Sequence, residues 1–494
     1  MSEIKRYLAF DFGASSGRLM LGEYEDGKIS LKEIHRFSND PTMINDRFVW
    51  DLPRLFYEIK QGLLKSRVYE NILGLGIDTW GVDFALLDKR GNLLGNPVHY
   101  RDKRTRNIEN EVFDKINKDK LYSVTGNQLM EINSLFQLMA IKKSEEDILS
   151  IADKMLLMPD LFSYLLTGQI SAEKSIVSTT QMYDHSNGNW AREIVDKLGL
   201  DNNLLPEIVE SGSIKGYLSE KICEELDITS IPVFAVCGHD TQSAMLSVPA
   251  EEDSFAYLSC GTWSLLGSEI DKPILTKEAM ESEFTNEVGY ANKVSFLKNI
   301  TGLWLIQESK RQFEKEGKEY TFADMATLAM NAKSTDAYID TDAEVFASAG
   351  NIPKRVREWC IDRGMSDLNT DGKIIKCIYE SLVFKYRKAI EELGILTNKT
   401  YDVLYVIGGG TMDKVFMQMI ADGLNITVSA GPTEATALGN IGAQLLANGQ
   451  ISDIKEFRKI IKQSEDIIVY KPNLSDRKYW DNGFAKYMEV MRKK

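Results

Sequence analysis

Apolar positions along this chain switch repeatedly between a period of two and a period of 3.6, and the switches mark out its elements. YLAFDFG, from residue 7, is an apolar run broken only by Asp11, and RLMLGEYE follows after a Gly/Ser turn. KISLKEIHRF then returns after Asp26-Gly27, a hairpin signal, so a sheet is expected to open the protein. LPRLFYEIKQGLLKS (52–66) has apolar residues at helical spacing, and ILGLGIDTWGVDFALLD (72–88) reads as a buried strand, a Gly-rich turn and a second strand. A helical stretch is expected around 106–166, stopped by Gly168. IPVFAVCGHDTQSAMLSV (231–248) reads as an apolar strand, a polar turn and a small-residue helix with Asp240 or Thr241 as N-cap.

After the polar break PAEEDS, FAYLSCGTWSLLGSEI (255–270) repeats the opening pattern of strand, Gly/Ser/Thr turn and strand. A chain of 494 residues exceeds what one hydrophobic core supports, so the repeat suggests a duplicated fold with domains 1–250 and 251–494. YDVLYVIGGG (401–410) is a strand entering three glycines, followed by a helix and the short strand NITVS. TEATALGNIGAQLLANG (433–449) is a helix rich in Ala and Gly, which permits close approach of another backbone or a flat ligand.

Composition narrows the partners. Apolar residues at 43% and charged residues at 27% describe an ordinary globular chain, and a formal charge of -14 without a basic patch argues against nucleic acid and anionic membranes. An anionic ligand must then be held by backbone N–H groups, a few basic side chains and a divalent cation. Five cysteines without C-x-x-C spacing and four histidines without H-x-x-x-H spacing indicate neither a disulfide framework nor a zinc site. No secretory signal or membrane span is legible, so a cytoplasmic location is expected.

Candidate chemistry lies in the turns. Asp11-Phe-Gly-Ala-Ser-Ser-Gly-Arg18 offers open backbone N–H groups to phosphate oxygens, with Arg18 adding charge and Asp11 placed for hydrated magnesium; an ordinary hairpin is the competing reading. Gly22 to Lys28 spells G-x-x-x-x-G-K, but Ile29 stands where a P-loop needs a hydroxyl. Gly74 and Gly76 begin a dinucleotide fingerprint that Thr79 fails to complete. Gly261-Thr262 offers a matching turn and Gly408 to Gly410 a bare strand end for adenine and ribose, though each cluster taken alone is more commonly a plain loop. Asp240 in Gly-His-Asp-Thr is the candidate general base, with a helix cap as the alternative. Asp78-Thr-Trp-Gly-Val-Asp83 combines an aromatic face, Trp80, with carboxylates including Asp83, a mixture suited to a polyhydroxylated carbon skeleton; a buried Trp with capping Asp residues is the competing reading.

Together, AFDFGASSGR, GIDTWGVDFALLD, PVHYRD, HDT, YLSCGTWSLLG, LKNITGLWLIQ, VIGGG and AGPTEATALGNIG resemble the family of carbohydrate kinases that includes glycerol kinase and xylulokinase, essentially end to end. The resemblance implies an α/β fold of two actin-like (ribonuclease H-like) ATPase domains flanking a central cleft, the first binding sugar and carrying the phosphate turn, the second binding nucleotide. It implies ATP and Mg2+ as cofactors and a ketose as substrate, with L-rhamnulose phosphorylated on its 1-hydroxyl. Ala14, Ser15, Ser16, Gly17 and Arg18 would bind phosphates, and Thr262, Asn299, Gln307 and Gly409 would contact ATP. Gly81, His239, Asp240 and Thr241 would contact the sugar, with Asp240 as base, and Asp11 would stand beside the metal. A monomer or small homo-oligomer is expected. A kinase for L-fuculose or xylulose and a non-catalytic sensor of the same fold remain the alternatives.

Overall fold

The computed structural model describes residues 4–252 and 254–492, so Asp253 of the polar break lies outside it, as do residues 1–3. The chain forms two compact units. The first comprises Met1–Glu251, Glu269–Phe296 and Ala435–Ser464; the second comprises Glu252–Ser268, Leu297–Glu434 and Glu465–Lys494.

The first unit is built on a six-stranded sheet. Strand Lys5–Phe12 lies at its middle, antiparallel to Ser16–Glu25 and parallel to Ile72–Thr79; Lys28–Ser38 extends one side, and Pro232–Phe234 with Ile214–Tyr217 the other. Residues of the central strand alternate between two covered faces, which explains an apolar run broken only by Asp11. Leu8, Phe10 and Phe12 pack with helices Leu52–Ser66 and Met158–Thr167, whereas Tyr7 and Ala9 pack with Leu438 and Ile441 of helix Ala435–Ala447. Helix Leu52–Ser66 covers the predicted span and is capped by the Asp51 carboxylate. The stretch expected to be helical to residue 166 contains the strand Ala152–Leu157, which pairs antiparallel with Phe84–Asp88.

Gly74 and Gly76 owe their presence to packing. A Cβ at residue 76 would sit 2.3 Å from Asn440 Oδ1, and one at residue 74 would sit 2.4 Å from the Phe234 ring. Helix Ala435–Ala447 thus presses directly onto the strand, as its Ala/Gly content allows. Its Gly439 meets the backbone of helix Asp240–Leu246, where an added Cβ would lie 1.7 Å from the Ser243 carbonyl oxygen.

In the second unit, strand Ala256–Cys260 is antiparallel to the strand that begins at Trp263 and parallel to Val403–Ile407, which is parallel in turn to Thr427–Ala430. The same hairpin-plus-parallel-strand plan organises the first unit around Lys5–Phe12. Both sheets therefore carry the repeated pattern visible in the sequence. Among the described residues no helix is long and apolar enough to cross a membrane, and all five cysteines are free thiols.

Candidate active site

Three carboxylates gather where parallel strands of the first unit end. Asp11 and Asp78 are register partners on adjacent strands, so their side chains share a face. Thr79, one residue on, bridges to His239, which places Asp240 at the start of helix Asp240–Leu246 beside them. The helix N-cap is His239 rather than Asp240 or Thr241, and the preceding strand is limited to Pro232–Phe234.

The carboxylates differ in environment. Asp240 keeps 30% of its side-chain surface open, Asp11 keeps 10%, and Asp78 has none. Asp78 Oδ2 accepts from Asn440 Nδ2 at 2.6 Å, while its Oδ1 is buried without a hydrogen-bond partner. Burial, reinforced by the Asp11 charge, holds the Asp78 carboxyl well above the usual range. Asp240 is also raised, by desolvation; the neighbouring His239 opposes this and Asp11 adds to it. A raised carboxyl is a better proton acceptor than an ordinary aspartate.

The phosphate-turn candidates adopt a tight hairpin. Gly13 N–H donates to the Ser16 carbonyl at 2.9 Å, and Asn39 fastens the turn from outside, donating through Nδ2 to Gly13 O at 2.9 Å. Ala14 and Ser15 are exposed at its tip, Ser16 is half-buried, and Gly17 is buried against Phe37, whose ring would lie 2.3 Å from an added Cβ. Arg18 donates to Asp11 Oδ2 through Nε at 3.0 Å and Nη2 at 2.8 Å. Turn and carboxylate are therefore locked together.

On the loop after strand Ile72–Thr79, Trp80 is buried beside Trp50, with ring centroids 4.1 Å apart and the rings tilted by 35°. Asp83 accepts from both indoles, Trp50 Nε1 at 2.7 Å and Trp80 Nε1 at 3.0 Å, and from Gln137 Nε2 at 3.0 Å and the Tyr100 amide at 3.2 Å. Burial pushes its carboxyl up to about 6, with these donors pulling the other way. With both oxygens engaged and 1% exposure, Asp83 anchors the indoles. Gly81 faces Thr179, whose Oγ1 would lie 3.3 Å from an added Cβ, and the next residue, Val82, has φ 66°. Thr241 is buried and donates to Asp240 Oδ1 through its backbone N–H at 2.6 Å.

The second unit assembles its own cluster. Thr262 Oγ1 donates to Gln307 Oε1 at 3.1 Å, and the Thr262 carbonyl accepts from Gly302 N–H at 3.1 Å. Asn299 is half-buried on strand Val294–Thr301, three residues before Gly302. Gly410 packs on Cys260, whose Sγ would lie 2.3 Å from an added Cβ, and Gly408 adopts φ 89°. Gly409, between them, faces open space. A smooth backbone surface thus lies beside the Gly261-Thr262 turn, suited to a flat ligand.

Three groups of the first-unit site escape sequence reasoning: Asp78 as a buried partner of Asp11, Asn440 beneath it, and Glu287, whose Oε2 lies 2.9 Å from His239 Nδ1. Equivalent strand positions could have paired Asp11 with Asp78. No local signal marks Asn440 or Glu287.

In a two-unit α/β protein, aligned carboxylates at strand ends beside a tight Gly/Ser turn are groups suited to phosphoryl transfer. The N-terminal domain of the FGGY family of carbohydrate kinases matches residues 6–247 and its C-terminal domain matches 256–448, so the chain belongs to that family, whose members use ATP as phosphate donor. It is similar over nearly its whole length to curated rhamnulokinases: 37% identical to that of Bacteroides thetaiotaomicron, covering 99% of this chain and 100% of the relative. The rhamnulokinase of Halalkalibacterium halodurans is 40% identical, covering 94% and 98%. A ligand-bound xylulose kinase from Lactobacillus acidophilus shares the fold with a TM-score of 0.82 at 14% identity over 99% and 98% of the chains. Plasmodium falciparum glycerol kinase with ADP has a TM-score of 0.78 at 16% identity over 99% of each.

Proposed function

We propose that the chain transfers the γ-phosphoryl group of ATP to the 1-hydroxyl of L-rhamnulose, giving L-rhamnulose 1-phosphate and ADP, as a step of L-rhamnose breakdown. The observation that carries this reading is the half-open Asp240 carboxylate held beside Asp11 and an imidazole, in a chain similar throughout to rhamnulokinases.

Asp240 accepts the hydroxyl proton as the bond to phosphorus forms. Gly81, His239 and Thr241 orient the sugar, and Trp80, fixed from behind by Asp83, supplies the apolar wall. The amides of Ala14, Ser15, Ser16 and Gly17 meet phosphate oxygens, with Arg18 adding charge. Thr262, Asn299, Gln307 and Gly409 hold the nucleotide, so the sugar is read by the first unit and the nucleotide by the second.

The residues present fit magnesium. Among the described residues no three His, Cys, Asp or Glu side chains are arranged so that they could hold a metal ion by themselves. A magnesium ion that keeps its waters and phosphate oxygens needs only one or two carboxylates. Asp11 would provide one, Arg18 engaging its Oδ2, and the unpartnered Asp78 Oδ1 lies on the same face. Held there, the ion would neutralise phosphate charge.

An ADP-release assay across a ketose panel tests the substrate. The highest kcat/KM is expected for L-rhamnulose, because a site built to hydrogen-bond particular hydroxyls rejects isomers that leave its buried polar groups unpaired. Preference for L-fuculose or xylulose would reassign the substrate within the family, and no turnover with any ketose would favour a sensor.

A further inference from the structure

His239 carries a second layer of support that the transfer mechanism leaves unused. Its Nδ1 lies 2.9 Å from Glu287 Oε2, on strand Thr285–Val288, and its Nε2 lies 3.4 Å from Asp240 Oδ1. The same Glu287 oxygen accepts from Gln242 Nε2 at 2.9 Å, and Gln242 Oε1 in turn accepts from Ser295 Oγ at 2.8 Å. Glu287, Gln242 and Ser295 are all buried. The carboxylate is therefore fixed by a hydrogen-bonded brace before it meets the imidazole, an arrangement that sets both ring orientation and charge.

We propose that Glu287 is a positioning residue that holds His239 as an imidazolium, its carboxylate set against the Nδ1 side of the ring and the Nε2–H presented to Asp240 and the sugar oxygens. This rests on the reading of His239 and Asp240 as sugar-side groups. A doubly protonated ring can only donate, so it discriminates for an acceptor oxygen of the sugar at that point. It also favours the ionised form of Asp240, which burial and Asp11 oppose, and so keeps the base ready at neutral pH.

The groups facing His239 all bear on its charge. Burial is the largest single influence and disfavours the imidazolium, but Glu287, Asp240 at the start of the following helix and Glu173 from the neighbouring segment together outweigh it, and the ring is pushed up to about 9. Glu173 is anchored separately, accepting from Gly238 N–H at 2.9 Å. A histidine raised from its usual 6.5 contributes stability that is fully present below about 6.5 and is lost as pH rises through about 9. Ketose binding should weaken over the same window.

The test is an NMR titration of the histidine ring carbons in the whole protein. The chain has four histidines, and burial holds His99 and His185 down at about 3 and about 4, so only His35 and His239 need to be told apart, which the His239→Asn spectrum does. The expected result is a His239 ring still charged at pH 8. Glu287→Gln should lower its midpoint by more than one pH unit, raise the ketose KM at pH 8 about tenfold with little change in the ATP KM, and be partly restored in Glu287→Asp. An unchanged midpoint in Glu287→Gln, or a neutral wild-type ring at pH 7, would overturn the proposal. The wild-type titration decides alone if the variant does not fold. It is also independent of turnover: a charged ring in a protein inactive on every ketose would leave the Glu287 pair standing and remove the kinase reading.

Discussion

Asp240→Asn is expected to lower kcat by about a hundredfold or more, equivalent to about 2.7 kcal/mol of transition-state stabilisation, while the affinity for ADP stays within about twofold of wild type. The change keeps the side chain's shape and removes its capacity to take a proton. It also removes the burial cost of the charge and its repulsion from Asp11, at the loss of the attraction to His239; because the carboxyl is raised on balance, the fold should be no less stable. Steady-state kinetics with calorimetric ADP binding separate the two effects. Turnover near the wild-type rate would remove Asp240 from the role of base, and a parallel loss of ADP affinity would place it instead among the nucleotide contacts.

The second large effect is expected far from 240 in sequence. Gly439→Ala puts a methyl 1.7 Å from the Ser243 carbonyl oxygen, about half of an ordinary van der Waals separation, so helices Ala435–Ala447 and Asp240–Leu246 must part. Overpacking of this kind costs about 1–3 kcal/mol. Here the obstacle is backbone rather than a flexible side chain, so the upper end of that range is expected. The helix that moves begins with Asp240, and misplacement of a catalytic group by about 1 Å can cost about a hundredfold in rate. Gly439→Ala should therefore show both a lower urea midpoint and a depressed kcat at temperatures where it remains folded. A variant with wild-type midpoint and rate would show that the two helices do not approach so closely.

These two residues illustrate what can be read from the sequence and what cannot. The Asp11 hairpin and helix Leu52–Ser66 are carried by local periodicity, turn chemistry and caps, which act within a few residues. The role of the Ala/Gly helix was half legible: its composition announced a close approach, but only the fold shows that its neighbours are the helix led by Asp240 and the glycine-marked strand Ile72–Thr79. That packing also explains Gly74 and Gly76, which read in isolation as a fragment of a nucleotide motif. Strand Ala152–Leu157 was hidden because ADKMLL sits between helices and shows no clear alternation. Its partner, Phe84–Asp88, is more than sixty residues away.

The site shows the same division. Asp240 and the 11–18 turn are conspicuous because turns that follow buried strands carry few other polar groups. In the sequence Asp78 is a carboxylate like its neighbours; its buried setting depends on Asn440, 362 residues later, and on the register that sets it beside Asp11. Asp83 looked equally available to a sugar, and only the two indole N–H groups reveal that its oxygens are already engaged. Glu287 acquires meaning only from its approach to His239.

The claim on which the account turns is that the Asp240 carboxylate receives the proton of the hydroxyl that is phosphorylated. A crystal structure of the protein with L-rhamnulose and a non-hydrolysable ATP analogue measures this directly. The account predicts the sugar's 1-oxygen within about 3.2 Å of an Asp240 oxygen and in line with the γ-phosphorus. A bound sugar whose reacting oxygen lies beyond hydrogen-bond reach of Asp240, with no bridging water between them, would contradict it.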